Sequence, residues 1–404
     1  MNLINLILSL SILDSIFNTD VYGFKNFMGN LLDLILNFSV IFFGLWCLIN
    51  YKTPNYIKKN FLFFVGISFL SMIINQSGLI NMVEFILRYG KIYFLIFIGF
   101  HFGKNISLNS LFKTFTIINS FNFILNLLWY FNLSFITNKY IGTLDFATGV
   151  MGDALYQCLF SFTTLVLSFF ILLNERKFNH SILLFNIITA IIQLYWSYAY
   201  HFYIVLLLSI ITILFLVVRM RNHNKIIISF LICLFTVNQI SKSEFFTNSF
   251  ITLANTSPKI ASYRDSFNGE YQKFYQEFIG VGPGSGGSYI GIENKSFISE
   301  NYFSIYNYFT EKLRHGSITT LPNTGITTLK SELGYFGLIN FLILLGLIFR
   351  KLNKTSKNKI GTMETLSMLL ILIFLLENLF ADYLQHSLFP LLIFTIVGIT
   401  LGKK

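Results

Sequence analysis

Charge is what this sequence has least of. Only 12% of its 404 residues are Asp, Glu, Lys or Arg, about half of what a water-facing domain carries. So low a charge, beside so much apolar residue, rules out a disordered chain or a coiled coil. The three cysteines (Cys47, Cys158, Cys233) lie far apart inside apolar runs, which leaves neither a disulfide framework nor a metal-ligand spacing. Prolines number five. What is abundant is apolar: 54% hydrophobic residues, 48 Phe and 21 Tyr among them, with a mean hydropathy of +0.65. That balance belongs to an all-α polytopic membrane protein.

Apolar runs of about 16–25 residues, the length a helix needs to cross a hydrocarbon core, recur along the chain. They lie near 2–17, 27–49, 61–80, 83–103, 108–134, 150–173, 181–198, 202–218, 225–241, 332–349, 360–380 and 386–402. The pattern predicts twelve transmembrane helices in one integral membrane domain. Pro54, Pro258, Pro283 and Pro322 fall outside these runs, as a helix breaker should, and Pro390 alone falls inside one. The first run is short and carries Asp14. No basic stretch precedes it, which argues against a cleaved signal peptide.

The basic residues set an orientation. Lys52, Lys58 and Lys59, Lys104 and Lys113, Arg176 and Lys177, and Arg219, Arg221 and Lys225 share one side. Arg350, Lys351, Lys354, Lys357 and Lys359 join them, with Lys403 and Lys404 at the end. The short loops of the other side hold only Lys25 and Lys139. By the positive-inside rule, twelve spans with both termini cytoplasmic satisfy every loop, in the cytoplasmic (inner) membrane of a cell. The net charge of +11 is then a topology signal, and no nucleic-acid partner is implied. Trp46 is expected at the inner interface, and Trp129 and Trp196 at the outer one.

One connection is long. Residues 242–331 form a large extracytoplasmic loop before the last three spans, and a loop of that length calls for a function. Ile260, Tyr263, Phe267, Tyr271, Phe274 and Phe278 recur at spacings of three and four, which predicts an amphipathic helix. Phe297 to Leu313 is similarly aromatic. Both are expected to lie on the membrane surface and cap the bundle.

The loop also holds the residues best suited to chemistry. Ser262-Tyr-Arg-Asp-Ser266 is followed by Gly280-Val-Gly-Pro-Gly-Ser-Gly-Gly287, and then by Leu321-Pro-Asn-Thr-Gly325 leading into Lys330-Ser-Glu-Leu-Gly-Tyr-Phe-Gly337. The Gly-rich run is no P-loop, since no Gly-Lys-Ser/Thr follows, and no dinucleotide fingerprint, since Pro283 interrupts it. Two readings stay open for it. It is a sharp turn ending the helix that carries Arg264, or a nest of amides, Gly282 and Gly284 among them, that binds an anion. Glu84, Arg88 and Lys91 form a second group. At i, i+4 and i+7 they share one face of the fourth span. If that helix starts near residue 83, Arg88 lies about 7–8 Å in. Arg88 then serves either a substrate diphosphate or a local pair with Glu84.

The order of these motifs resembles the O-antigen polymerase and ligase superfamily (Wzy-like and WaaL-like proteins). The likeness rests on Ser262-Tyr263-Arg264, on Gly280–Gly284, and on Pro322-Asn323 followed by Glu332-Leu333-Gly334-Tyr335-Phe336-Gly337. Ala147–Asp153 also looks like a stretch of that family. The resemblance implies a polymerase that joins oligosaccharide units carried on undecaprenyl diphosphate at the outer face of the membrane. No cofactor and no metal are expected, since the outer side lacks a His/Asp/Glu cluster with ligand spacing, and a chain-length regulator is a possible partner protein. Arg264 would steady the departing diphosphate, with Arg88, Lys91, Gly282 and Gly284 helping to bind it. His315 and Asp265 are candidate bases, alongside Asp153 and His201. Ligases of the superfamily carry a histidine just before the re-entry motif, where this chain has Pro322. That departure weakens the ligase alternative and leaves the base unassigned. A lipid-linked oligosaccharide flippase is the rival from outside enzymology.

Overall fold

The computed structural model describes residues 27–131, 154–174, 179–197, 200–217, 266–267, 273–286, 288, 290, 324–356, 362–379, 384 and 388–403. Among them every regular element is a helix and no strand occurs. In chain order these are α1 (Phe27–Asn50), α2 (Asn55–Asn75), α3 (Leu79–Tyr89), α4 (Lys91–Phe102), α5 (Leu108–Tyr130) and α6 (Ala154–Asn174). Then come α7 (His180–Trp196), α8 (Tyr200–Val217), α9 (Phe274–Ile279), α10 (Gly325–Ser356), α11 (Met363–Glu377) and α12 (Leu388–Gly402). The expected spans at 2–17 and 225–241 and the surface helix at 297–313 lie outside the described residues.

Helices α2, α5 and α10 are long and apolar enough to cross a membrane, at 21, 23 and 32 residues. Their outward faces confirm the solvent. On α2, Leu62, Phe63, Phe69, Leu70, Ile73 and Ile74 are exposed, while Asn60, Ser68 and Ser71 are buried. A helix that hides its polar residues and shows its largest apolar ones is built for lipid. The protein is an all-helical membrane protein.

Its most enclosed element is α4, where Lys91 to Gly99 are all buried. It packs chiefly on α12 and α1. The contact with α12 is backbone on backbone. A Cβ placed on Gly99 would sit 2.6 Å from the Thr395 carbonyl oxygen, and one on Gly398 would sit 2.6 Å from that of Ile96. Gly103 and Gly402 repeat the arrangement one turn on, against Ile399 and Phe100. Two Gly-x-x-x-Gly stripes thus face each other, the small-residue packing that brings membrane helices closest. Pro390 is tolerated because it stands in the first turn of α12, where no helical partner is lost.

Helices α5, α6 and α7 form a second group, joined through buried amides. Asn119 donates to Thr189 (2.7 Å), Gln193 donates to Asn119 (2.8 Å), and Gln157 donates to Gln193 (2.7 Å). Asn119, Asn122 and Asn126 recur at helical spacing on α5, and all are fully buried. In lipid such amides hold helices together because leaving them unpaired is costly.

Several expectations need correction. The predicted single span at 83–103 is two helices, α3 and α4, separated at Gly90. Glu84 and Arg88 therefore belong to α3 and Lys91 opens α4, so the three do not stand on one helix. The helix also starts at Leu79, so Arg88 lies nine residues along it, about 13 Å rather than 7–8 Å from its start at 1.5 Å per residue. Lys58 and Lys59, expected in a connection, are the fourth and fifth residues of α2, which begins right after Pro54. Trp129, expected in an interface belt, is buried at 1% exposure, and its neighbour Tyr130 takes the outward position.

The α4–α12 contact sets a test. Gly398→Ala forces a methyl into the Ile96 carbonyl, and is expected to cost about 1–3 kcal/mol and lower the melting temperature of the detergent-solubilised protein. Gly346→Ala, at a glycine with open space around it, is expected to leave melting unchanged or raise it slightly.

Candidate functional site

The site is built where α10 begins, beside the turn from α2 to α3. Its first part is short. Lys273, in extended conformation, precedes α9 and donates its amide to the Gln276 side chain at 2.9 Å. The apolar stripe from Ile260 to Phe278 is therefore not one continuous helix, since it is interrupted at Lys273. Helix α9 ends at Gly280, whose φ of +75° suits glycine. The Gly-rich run does end a helix in a turn, but that helix is α9, which does not reach Arg264, and what the run turns onto is α10.

Helix α10 is itself broken. Gly334 has φ +65° and ψ −164°, well outside the helical range, so carbonyls just before it lose their usual partners. The Gly-rich run supplies replacements. Val281 N–H donates to the Ser331 carbonyl at 2.9 Å and Gly282 N–H to that of Glu332 at 3.2 Å. The Ser71 hydroxyl of α2 also donates to the Glu332 carbonyl, at 3.3 Å. The two backbones meet so closely that a Cβ at Gly280 would run into the Glu332 carbonyl, and one at Gly334 into that of Phe278.

The side chain of Glu332 completes the joint. It is fully buried, and its two oxygens accept the Gly284 amide at 2.7 Å and the Ser288 amide at 2.9 Å. Hydrogen bonds to an ionised acceptor are short and strong, which is what a buried carboxylate needs. The run from Gly280 to Ser288 does cradle an anion, then, but the anion is the protein's own. The amides of Gly282 and Gly284 are directed at Glu332.

From the other side, the end of α2 holds the same run. Asn75 donates to the Gly280 carbonyl at 3.0 Å and accepts from Gln276 at 2.7 Å. Deeper in the bundle, Asn60 of α2 donates to Asn340 of α10 at 2.6 Å and accepts from Tyr93 of α4 at 2.6 Å. Both broken helices are thereby tied to one asparagine.

The cations of this region are of two kinds. Arg88 pairs with Glu84 at 2.6 Å, and both side chains are about a third exposed. Lys91 and Lys330 are buried, at 5% and 1% exposure. The Lys330 ammonium lies 4.4 Å from the centre of the Tyr335 ring and 5.9 Å from that of Phe267. This contact brings the Ser266–Phe267 turn, two residues beyond Arg264, against α10.

Arg264, Asp265, His315 and Asp153 themselves lie outside the described residues, as does the side chain of His201. Among the described residues, no three His, Cys, Asp or Glu side chains gather as a metal site. Sequence reasoning passed over Glu332 as a chemical group and Lys330 as a buried cation, although both stand in the re-entry motif. A charge at the start of an apolar run was the signal available for each. A scan of family models finds none that matches this chain, and a search of curated proteins finds no match.

Glu332→Gln replaces one acceptor oxygen with a donor that faces a loop amide. The variant is expected to lose about 1.5–3 kcal/mol in thermal melting. Cleavage by trypsin at Lys273 or Lys295 should become faster as the run detaches. An unchanged melting curve would remove the carboxylate from this role.

Proposed function

We propose that the protein is a polysaccharide polymerase of twelve spans in the inner membrane, with both termini cytoplasmic. In this reading it joins oligosaccharide repeat units carried on undecaprenyl diphosphate. One observation carries the proposal: motif elements far apart in sequence, the Gly280–Gly284 turn and the Glu332–Gly337 re-entry, pack against each other through the Glu332 joint. Elements that only share a loop need not touch. These do, and Phe267, three residues after Arg264 in the sequence, meets Lys330 of α10.

The reaction follows from the donor. A hydroxyl of the acceptor glycan attacks the anomeric carbon of the donor chain, a new C–O bond forms, and the bond from that carbon to the diphosphate oxygen breaks. The lipid diphosphate leaves with the bonding pair, and the hydroxyl proton passes to a base, for which His315 and Asp265 are the candidates. Negative charge grows on the leaving group, so fixed cations there lower the barrier most. Arg264 is assigned that role because its planar fork can hold two phosphate oxygens. Arg88 is the weaker assignment, because it is already engaged by Glu84.

A transporter is the second reading, favoured by one feature: helices broken at Gly90 and Gly334. Discontinuous helices are a common way to build a transport site.

Arg264→Ala is expected to stop chain growth while the protein still accumulates in the membrane. The measurement is a polysaccharide length profile from cells lacking the gene and re-supplied with wild type or the variant. Single repeat units on the acceptor support the polymerase. Long chains left on the lipid carrier, with none on the final acceptor, would identify a ligase. A full-length ladder from Arg264→Ala would overturn the role given to this arginine.

A further inference from the structure

Helix α9 has three unlike sides. Gln276 and Ile279 are buried against the protein, whereas Lys273, just before the helix, and Glu277 are exposed one turn apart. Phe274 and Phe278, also one turn apart, are exposed at 79% and 38%. Their rings meet at 5.6 Å, and Phe278 meets Phe336 of α10 at 5.8 Å. One side on protein, one charged and one aromatic is the pattern of an element that lies in a membrane interface.

The aromatic side continues a surface that already faces lipid. Phe336, Ile339, Ile343 and Leu347 recur at helical spacing along α10, and all are exposed. This stripe ends at Arg350, fourteen residues from Phe336, or about 21 Å at 1.5 Å per residue. A hydrocarbon core is about 30 Å thick, so the stripe falls about 9 Å short of covering it. On the other side of Phe336, α10 offers lipid nothing, because Gly325 to Gly334 are all buried. Helix α9 lies against that stretch, with the Phe278 backbone touching Gly334. The rings of Phe274 and Phe278 stand where the stripe runs out.

We propose that α9 is a membrane seat for the extracytoplasmic loop. Phe274 and Phe278 enter the acyl chains of the outer leaflet and complete the lipid-facing belt of α10, while Lys273 and Glu277 stay at headgroup level. The partner is the bilayer itself. Helix α9 runs directly into Gly280 and the Glu332 joint, so the seat sets the height of the Gly-rich run above the membrane. A substrate carried on a lipid is presented at that height whether it is polymerised or flipped, and the inference holds under either reading of the preceding subsection.

Fluorescence quenching on the full-length protein in nanodiscs tests the depth. Phe274→Cys and Glu277→Cys are labelled with bimane, and labelled wild type supplies the blank for the native cysteines. The quenchers are phosphatidylcholine with a nitroxide high on its acyl chain, and aqueous iodide. The label at 274 should be quenched by the nitroxide lipid and shielded from iodide, and the label at 277 should behave in the opposite way. Equal iodide quenching at both, with no lipid quenching at 274, would overturn the seat.

A second measurement uses no label. In nanodiscs, trypsin cleavage after Lys273 reports how often α9 leaves the membrane. Phe274→Ser should raise that rate roughly tenfold, the change expected when one aromatic side chain loses its place in an apolar medium. Phe274→Trp should cleave as wild type does, because indole also suits the interface. The melting temperature of Phe274→Ser should stay close to that of wild type, since so exposed a ring carries little of the bundle's packing. Equal cleavage of Phe274→Ser and wild type would contradict insertion into lipid. A drop in melting as large as that of Glu332→Gln would show that Phe274 holds the protein together instead, and would also overturn the seat.

Discussion

A helix in lipid has no water to take up a carbonyl that loses its intrahelical partner. Helix α10 breaks at Gly334, so an outside donor must be brought to the carbonyls released there. The amides of Val281 and Gly282 meet the Ser331 and Glu332 carbonyls, and the Glu332 carboxylate receives those of Gly284 and Ser288. The break and the Gly-rich run need each other. Without the run, the Glu332 carboxylate would lose two amide donors and the Ser331 and Glu332 carbonyls one each. Without the break, the run would have nothing to dock on.

The rest of the site is arranged around that joint. Asn75 and Ser71 of α2 fasten it from one side. Asn60, eleven residues before Ser71, links α10 to α4 through Asn340 and Tyr93. The second broken helix is thus held to the first. The tight α4–α12 contact in turn fixes α4, since Gly99 and Gly398 leave no room for sliding. Two glycine-dependent contacts, the Glu332 joint and the α4–α12 packing, thus position the helices that carry Lys330 and Lys91.

Much of the fold was legible in the sequence because hydrophobicity reports directly on lipid exposure. Runs at 27–49, 108–134, 150–173, 181–198 and 202–218 reappear as helices with ends moved by a few residues. The break at Gly90 was not legible. Glycine is ordinary in membrane helices, and the apolar run continues unchanged across it. The two Gly-x-x-x-Gly stripes were visible as spacing, but spacing does not name the partner helix. The Glu332 joint was half visible: both of its motifs could be read, yet the bonds between them span 48 and 44 residues, a relation no local pattern encodes. Trp129 misled because residue type favours the interface, while its helical face turned it inward.

The broken helices are also what a flippase would have, so the account turns on whether a glycosidic bond is made. The most direct measurement uses purified protein in nanodiscs, given one lipid-linked repeat unit and nothing else. The expected result is a ladder of longer lipid-linked glycans, with one polyprenyl diphosphate released for each unit added. Substrate that crosses proteoliposome membranes without lengthening, and without release of the diphosphate, would contradict the account and establish transport instead.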